Sequence, residues 1–139
     1  MELADALDAA RATHHSVLTT IRRDGKPQLS NVLHYVREDG VLIVSTTAGT
    51  AKYKNLLREP WAALKVDGSS VWSYAVLETE ASFSAVAAEP DDAAVDELVE
   101  YYRQVSGEHS DWDEYRRAMV SERRVVVRLT ATRAYGLLR

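Results

Sequence analysis

The sequence predicts a mainly β protein, with helices inserted between the strands of an antiparallel sheet or barrel. Short runs rich in β-branched and aromatic residues are separated by tight turns that contain Asp-Gly pairs. Other segments repeat apolar residues at helical spacing. There is no Gly-x-Gly-x-x-Gly or Walker A run, and tight turns favour antiparallel pairing over a doubly wound parallel sheet.

Caps and breakers set the boundaries of the predicted elements. Thr50 is a good N-cap and Pro60 stops the helix that follows it, while Ser110–Asp113 resembles a capping box. In chain order we predict a helix at Leu3–Thr13, strands at 16–21, 28–37 and 41–46, a helix at Ala51–Arg58, strands at Trp61–Val66 and Val71–Val86, helices at Asp91–Ser106 and from Ser110 to about Glu122, and a closing strand at Arg124–Thr130.

The first two strands form a predicted hairpin whose second strand has polar residues in its middle. An Asp24-Gly25 turn joins the strands. Ser30 and Asn31 stand where a half-buried strand normally has aliphatic residues. Buried polar groups need partners, and departures from a local pattern concentrate at functional sites. We therefore expect a polar-lined sheet face here, although an edge or a bulge would also explain the pattern.

The helix predicted after Thr50 begins with an unusual charge pattern. Lys52 and Lys54 lie in or near its first turn, where the helix dipole already disfavours positive charge. A docked anion, held by backbone N–H groups, threonine hydroxyls and a lysine, would explain this pattern. A solvated surface helix with lysines placed at random would explain it equally well.

The long predicted strand has two different faces. One face is mostly apolar, and the other is aromatic in its first half, with Trp72 and Tyr74, and charged in its second half. An aromatic half-face has no reason to face water, so we expect a partner surface to cover it. Packing under a helix of the same chain is the alternative.

Composition excludes several classes of protein. With 139 residues the chain fits a single domain spanning 1–139. Its net charge of −4 argues against a nucleic-acid partner, and the absence of cysteine excludes disulfides and thiol chemistry. The four histidines lack metal-ligand spacing. There is no signal-peptide pattern or membrane-length apolar run, so we expect a cytoplasmic protein with neither metal nor membrane partner.

Four segments together resemble the flavin/deazaflavin oxidoreductases with a split β-barrel, the relatives of pyridoxamine 5′-phosphate oxidase. They read TTIRRDGKPQLSNV, VSTTAGTAKYKNLLREP, VDGSSVWSYAVLETEASFS and EHSDWDEYRRAMVSERRVVV. Within that family the chain most resembles the small actinobacterial branch (FDOR-B type) that uses the deazaflavin coenzyme F420. The resemblance implies an antiparallel split β-barrel and a homodimer in which each cofactor site is completed by the partner.

The resemblance also implies which residues bind the cofactor. Its phosphate is expected at the helix start and its ring along the second strand. The residues so implied are Gln28, Leu29, Ser30, Asn31, Val32, Ser45, Thr46, Thr50, Ala51, Lys52, Asn55 and, from the partner, Trp72. Relatives often carry an arginine near the phosphate-binding lysine, whereas in this chain Thr50 and Ala51 precede Lys52. Basic residues for the acidic tail of F420 would come from Arg22, Arg23, Lys26 and Lys54.

Three functions are compatible with these patterns. The first is an F420-dependent reductase that transfers a hydride to a C=C or C=N bond of a small conjugated substrate. The second is an FMN-dependent oxidase or reductase of the pyridoxamine phosphate oxidase type. The third is a protein that binds F420 or a tetrapyrrole without turnover. No pair of residues resembles a general acid/base dyad, so the catalytic residues stay unassigned.

Overall fold

The computed structural model describes residues 1–139 and contains four helices and six strands. In chain order these are α1 (Leu3–Arg11), β1 (His15–Ile21), β2 (Pro27–Val36), β3 (Leu42–Thr47), α2 (Ala51–Arg58), β4 (Trp61–Asp67), β5 (Tyr74–Phe83), α3 (Ala93–Ser106), α4 (Trp112–Ser121) and β6 (Arg124–Leu137). Every predicted element is present, and most boundaries agree within two residues.

The six strands form a closed antiparallel barrel in the order β1-β2-β3-β6-β5-β4. The prediction of an antiparallel barrel with inserted helices is therefore confirmed. Arg22–Pro27 joins β1 to β2 through the expected Asp-Gly turn, in which the Asp24 carboxylate accepts from the Lys26 N–H at 3.0 Å. Gly25 adopts a φ of +84°, which favours glycine.

The barrel interior and the outer helical layer have separate apolar cores. The interior core is built from alternate residues of the strands, such as Leu18, Leu64 and Leu77, and includes Leu56 of α2 and Ala6 of α1. α1 and α2 cover opposite ends of the barrel. Arg11 of α1 donates to the Arg37 carbonyl, just after the end of β2, whereas Arg58 of α2 donates to the Ile21 carbonyl, at the end of β1. The second core lies between the outer face of β3 and β6 and the helices α3 and α4.

Two strand boundaries differ from the sequence prediction. β5 begins at Tyr74, because Ser70–Ser73 form a turn: the Ser73 N–H donates to the Ser70 carbonyl at 3.0 Å, and the Gly68 N–H donates to the Ser73 carbonyl at 2.6 Å. Trp72 therefore lies in the β4–β5 turn and not in a strand. β6 runs seven residues beyond the predicted end, Thr130, because β5 pairs with it as far as Leu137.

The second half of β6 accommodates one extra residue. The pairing of β5 with β6 shifts between Glu78 and Thr79, so that Thr132 has no partner in the ladder. Its hydroxyl donates to the Glu78 carbonyl at 3.3 Å. One smaller prediction was also wrong: Asp111, not Ser110, caps α4, because its carboxylate accepts from the Glu114 N–H at 3.1 Å.

Candidate functional site

The barrel has an opening between β2 and β3. These strands pair only at His34–Val44, Tyr35–Ile43 and Val36–Leu42, whereas β3 pairs with β6 along its whole length. Beyond that point residues 27–33 of β2 and 45–47 of β3 lie on facing edges without a ladder between them. We call this region the split. The backbone N–H and C=O groups along these two edges can form hydrogen bonds with a planar polar molecule bound between them.

A tyrosine from α3 lies at the closed end of the split. The Tyr101 hydroxyl donates to the Leu33 carbonyl at 2.8 Å, a group that β3 no longer pairs. Burial raises the pKa of Tyr101, while the backbone N–H of Ser45 and the charge of Arg124 act in the opposite direction. This hydroxyl therefore stays protonated near neutral pH and lies between the two strand edges.

The predicted ring-binding residues of β2 divide between the two faces of the strand. Gln28, Ser30 and Val32 are turned towards the barrel interior and are partly buried. Leu29 and Asn31 are turned outwards, with 62% of Leu29 exposed. Because side chains alternate along a strand, one ligand face cannot contact both sets. The expected single polar-lined face is therefore replaced by a polar strand edge.

The start of α2 has the features expected of an anion site. Thr50 is the N-cap and accepts from the Tyr53 N–H at 3.4 Å, as predicted. The first turn contains no acidic residue, unlike those of the other three helices. Neither Lys52 nor Lys54 forms an ion pair. Positive charge at this helix start is thus left unneutralised by the protein.

Some predicted site residues use their polar groups on the protein itself. The Asn55 amide donates to the Thr20 hydroxyl at 3.1 Å and to Gln28 Oε1 at 3.5 Å, and its oxygen accepts from Arg58. Thr46 is buried and shares a hydrogen bond with Thr50, with 2.8 Å between their oxygens. Asn55 and Thr46 therefore fix α2 against the barrel and hold its start beside the split.

Trp72 is separated from the rest of the predicted site. It lies in the β4–β5 turn, at the end of the barrel opposite α2, and 70% of it is exposed. Within one chain the structure brings together the split residues and the start of α2, but not Trp72.

Two arginines that the sequence did not single out have backbone contacts with the loop before α2. Arg124 is the register partner of Thr47, and the Arg123 carbonyl accepts from the Ala48 N–H at 2.9 Å. These contacts join the start of β6 to the loop before α2. These residues are about 75 positions apart in the sequence and become neighbours only because β3 pairs with β6, so no local sequence signal could reveal their proximity.

A cavity of about 280 Å³ lies beside the split, between β3 and the helices α3 and α4. Leu33 and Ser45 belong to both the cavity and the split. Its other walls are mostly aromatic and apolar and include Tyr101, Tyr115, Met119 and Arg124. A smaller polar depression on the outer barrel surface contains Asn31, Val32, Lys65 and Asp67.

His34 closes the ladder at the end of the split and is fully buried. Its Nε2 lies 2.8 Å from the Ala10 carbonyl, which can only accept, so Nε2 carries the proton. Nδ1 then accepts from the Ser16 hydroxyl at 2.7 Å. Burial lowers the pKa of His34 below 6.5, and the neighbouring His14 and His15 lower it further. The neutral ring joins α1, β1 and β2 next to the site.

No three histidine or acidic side chains lie close enough together to hold a metal ion. None of the helices is long and apolar enough to cross a bilayer.

A six-stranded antiparallel barrel with a split between two of its strands defines a class of folds, the split β-barrels. The sequence profile of one family, pyridoxamine 5′-phosphate oxidase, matches residues 3–138 of the chain. The chain belongs to this family.

Solved structures of similar fold include proteins of different function. The conserved hypothetical protein Rv2991 from Mycobacterium tuberculosis is 23% identical, with a TM-score of 0.72, over 96% of this chain and 82% of that one. An F420 reductase is 18% identical, with a TM-score of 0.69, over 92% and 94% of the two chains. The heme storage protein HutZ from Vibrio cholerae is 14% identical, with a TM-score of 0.68, over 98% and 95%. These identities show a shared fold and no more.

Proposed function

We propose that this protein is an F420-dependent reductase that transfers a hydride to a C=C or C=N bond of a small conjugated substrate. The observation that carries the proposal is the split, which lies beside a helix start with unneutralised positive charge. A phosphate at Lys52 and a planar ring between the strand edges would use both features together. The family match and the F420 reductase among proteins of this fold support this reading.

The residues of the chain fit such a cofactor. The backbone N–H groups of Ala51 and Lys52, in the first turn of α2, have no intrahelical partner and would hold the phosphate with the Lys52 ammonium. Ser45 and the edge of β2 would bind and orient the ring. The bound deazaflavin would supply the hydride chemistry, while the protein orients the ring.

The proposal includes a homodimer with one cofactor-binding unit per chain, spanning residues 1–139. Exposed apolar side chains lie on the outer barrel surface, at Leu29, Leu33 and Tyr135, and in the β4–β5 turn, at Val71 and Trp72. Exposed apolar residues of this kind are typical of an interface. In the proposed homodimer the partner's Trp72 would complete the site at the split.

Cofactor choice is tested first by titrating the protein separately with F420 and FMN and following tryptophan fluorescence. We expect F420 to bind more tightly, because its acidic tail can reach the hairpin cations. Arg23 and Lys26 have no ion-pair partner there, whereas Arg22 pairs with Asp24 at 2.5 Å. Tighter binding of FMN would favour the FMN-dependent alternative.

The anion site is tested with Lys52→Ala. Losing a hydrogen bond to a charged group costs about 1.5–3 kcal/mol, so F420 affinity should fall about tenfold or more. The free energy of unfolding of the apo-protein should stay unchanged or rise slightly, because Lys52 opposes the helix dipole.

Lys54→Ala is the matched control, since it removes the same charge from an exposed position of the same helix. Both variants are also titrated with FMN, which has the phosphate but lacks the acidic tail that Lys54 could contact. With FMN the effect of Lys54→Ala on affinity should be clearly smaller than that of Lys52→Ala. Equal effects of the two variants would mean that the lysines act only through the positive electrostatic potential of this helix and not through a direct contact with the phosphate. Unchanged affinity in both variants would mean that the phosphate binds elsewhere.

The third function, binding without turnover, is favoured by one observation: a heme storage protein shares the fold. Single-turnover mixing of the protein with reduced F420 and a panel of conjugated acceptors separates the two. We expect oxidation of F420 that depends on the acceptor. Tight binding of F420 or heme with no oxidation by any acceptor would support the binding protein.

A further inference from the structure

The cavity beside the split has a polar end and aromatic walls. At its polar end, Nε and Nη2 of Arg124 donate to one oxygen of Glu122 at 3.1 and 2.9 Å. Nη1 of Arg124 forms no hydrogen bond or ion pair within the chain. The Glu122 carboxylate thus orients the guanidinium and leaves both N–H groups of Nη1 available.

The charge balance of this polar end indicates the kind of ligand that fits. Glu122 neutralises Arg124, so a ligand carboxylate would meet a carboxylate as well as a guanidinium. A neutral carbonyl oxygen can accept from Nη1 without displacing Glu122. The side chains of Tyr101, Tyr102, Val105 and Met119 surround the space beyond with aromatic and apolar surface. A volume of about 280 Å³ suits one ring with a short conjugated arm.

We propose that this cavity binds the carbonyl end of a neutral, one-ring conjugated ketone or aldehyde, and that Arg124 donates a hydrogen bond to its oxygen. The proposal rests on the proposed function, because it assigns the substrate class of the same site. Leu33 and Ser45 line both the cavity and the split. A ligand in the cavity would therefore extend its conjugated C=C bond towards the ring bound in the split.

The proposed contact also has a chemical role. When the β-carbon of the enone accepts a hydride, the C=C electrons shift and the carbonyl oxygen becomes an enolate oxygen. The α-carbon then takes a proton from water, which completes the two-electron reduction of the C=C bond as the deazaflavin is oxidised. Negative charge develops on the oxygen that Arg124 contacts, so a preorganised guanidinium stabilises the transition state more than the ground state.

The test measures binding to the apo-protein, which separates it from the cofactor proposal. The probes are 4-phenylbut-3-en-2-one and a hydrocarbon of similar shape, 1-phenylbut-1-ene, which has no oxygen to accept a hydrogen bond; both are titrated by calorimetry and by NMR of the Ser45 amide. The variant is Arg124→Gln. Arg128→Gln is the matched control, because Arg128 lies on the same outer face of β6 and pairs with Glu97, but does not line the cavity.

We expect the ketone to bind at least several times more tightly than the hydrocarbon. Arg124→Gln should weaken ketone binding about tenfold and leave hydrocarbon binding unchanged, since one hydrogen bond to a charged group is lost only with the ketone. Arg128→Gln should bind both probes as the wild type does. Val105→Trp, which fills the cavity from α3, should abolish binding of both probes.

Several outcomes would overturn the proposal: no ketone binding to the wild type, equal affinity for the ketone and the hydrocarbon, or an Arg124→Gln variant that binds the ketone normally. If Arg124→Gln instead weakens F420 binding, Arg124 belongs to the anion site near Thr47. Failure of F420 to bind at all would refute the proposed function, while the apo-protein titrations would still decide the cavity.

Discussion

At the scale of single residues, His34 shows how a polar strand position can serve structure instead of chemistry. It lies in the same polar run of β2 as Ser30 and Asn31, yet both of its ring nitrogens are hydrogen-bonded inside the protein. Those contacts hold α1 to the barrel beside the last paired residue before the split. The ring must remain neutral to keep Nδ1 as an acceptor.

The lowered pKa of His34 makes stability depend on pH. The unfolded chain binds a proton near pH 6.5, whereas the folded protein does so only at lower pH. The stabilisation is therefore complete above pH 6.5. As pH falls below 6.5 towards the folded pKa, the free energy of unfolding should decrease by up to about 1.4 kcal/mol per pH unit. Urea unfolding at pH 8, 6 and 5 measures this.

The control is His34→Gln, which keeps hydrogen-bonding capacity but cannot titrate. It retains His14 and His15, so the pH dependence that these contribute remains in both proteins. The variant should be less stable at pH 8 and should lose less stability between pH 8 and 5. An identical slope in both proteins would show that His34 does not set the acid sensitivity.

The sequence predicted local features of the candidate site better than distant ones. Thr50 as a helix cap and the cations Lys52 and Lys54 follow from neighbouring residues alone. Strand alternation places the side chains of Ser30 and Asn31 on opposite faces of β2, but the sequence does not show which of these faces is turned towards the barrel interior. Arg124 and Tyr101 reach the site through tertiary packing, which no local pattern encodes.

At the scale of elements, the β strands were predicted in place but not in length. β6 has polar and charged residues after Leu129, which indicate an end when read alone. In the structure β5 continues to pair with this segment, and the bulge at Thr132 keeps the ladder in register. The Ser70–Ser73 turn, conversely, contains Val71 and Trp72, whose high β propensity suggested a strand. Backbone hydrogen bonds to Ser73 override that propensity.

Gly136 allows the end of β6 to pair closely with β5. Its φ is +134°, and a Cβ there would lie 2.4 Å from the Tyr74 carbonyl oxygen. Gly136→Ala combines backbone strain with overpacking and should lower the free energy of unfolding by about 2 kcal/mol or more. Gly25→Ala is the control: its φ is +84°, but its Cβ would meet nothing within 4 Å. It should cost about 1 kcal/mol. Equal costs in thermal unfolding would contradict the steric argument.

At the scale of the whole molecule, one side of the barrel is covered by α3 and α4 and another side is not. Leu29 of β2 remains 62% exposed on the uncovered side, and Leu33, which lines the cavity beside α3, is 39% exposed. The sequence anticipated an uncovered aromatic surface at Trp72 from the pattern of one strand. The structure shows that the exposed apolar surface also includes β2, which forms one edge of the split.

Trp72→Ala tests the proposed homodimer and its shared site in one protein. Because Trp72 is 70% exposed, its loss should leave the fold intact, as circular dichroism will show. We expect a weaker dimer by sedimentation equilibrium and weaker F420 binding by titration. A wild type that is monomeric at micromolar concentration would refute the dimer. A variant that dissociates but binds F420 normally would refute the contribution of Trp72 to the partner's site.

The separation of the two apolar cores has a consequence for how such a protein diversifies. The interior core and the core beneath α3 and α4 share no residue. Substitutions of Tyr102, Val105 or Met119 would therefore reshape the cavity at little cost to the barrel that holds the split. In the course of evolution the cavity can thus change to fit a different ligand while the barrel and its split stay the same. This independence makes the fold suited to binding many different small molecules.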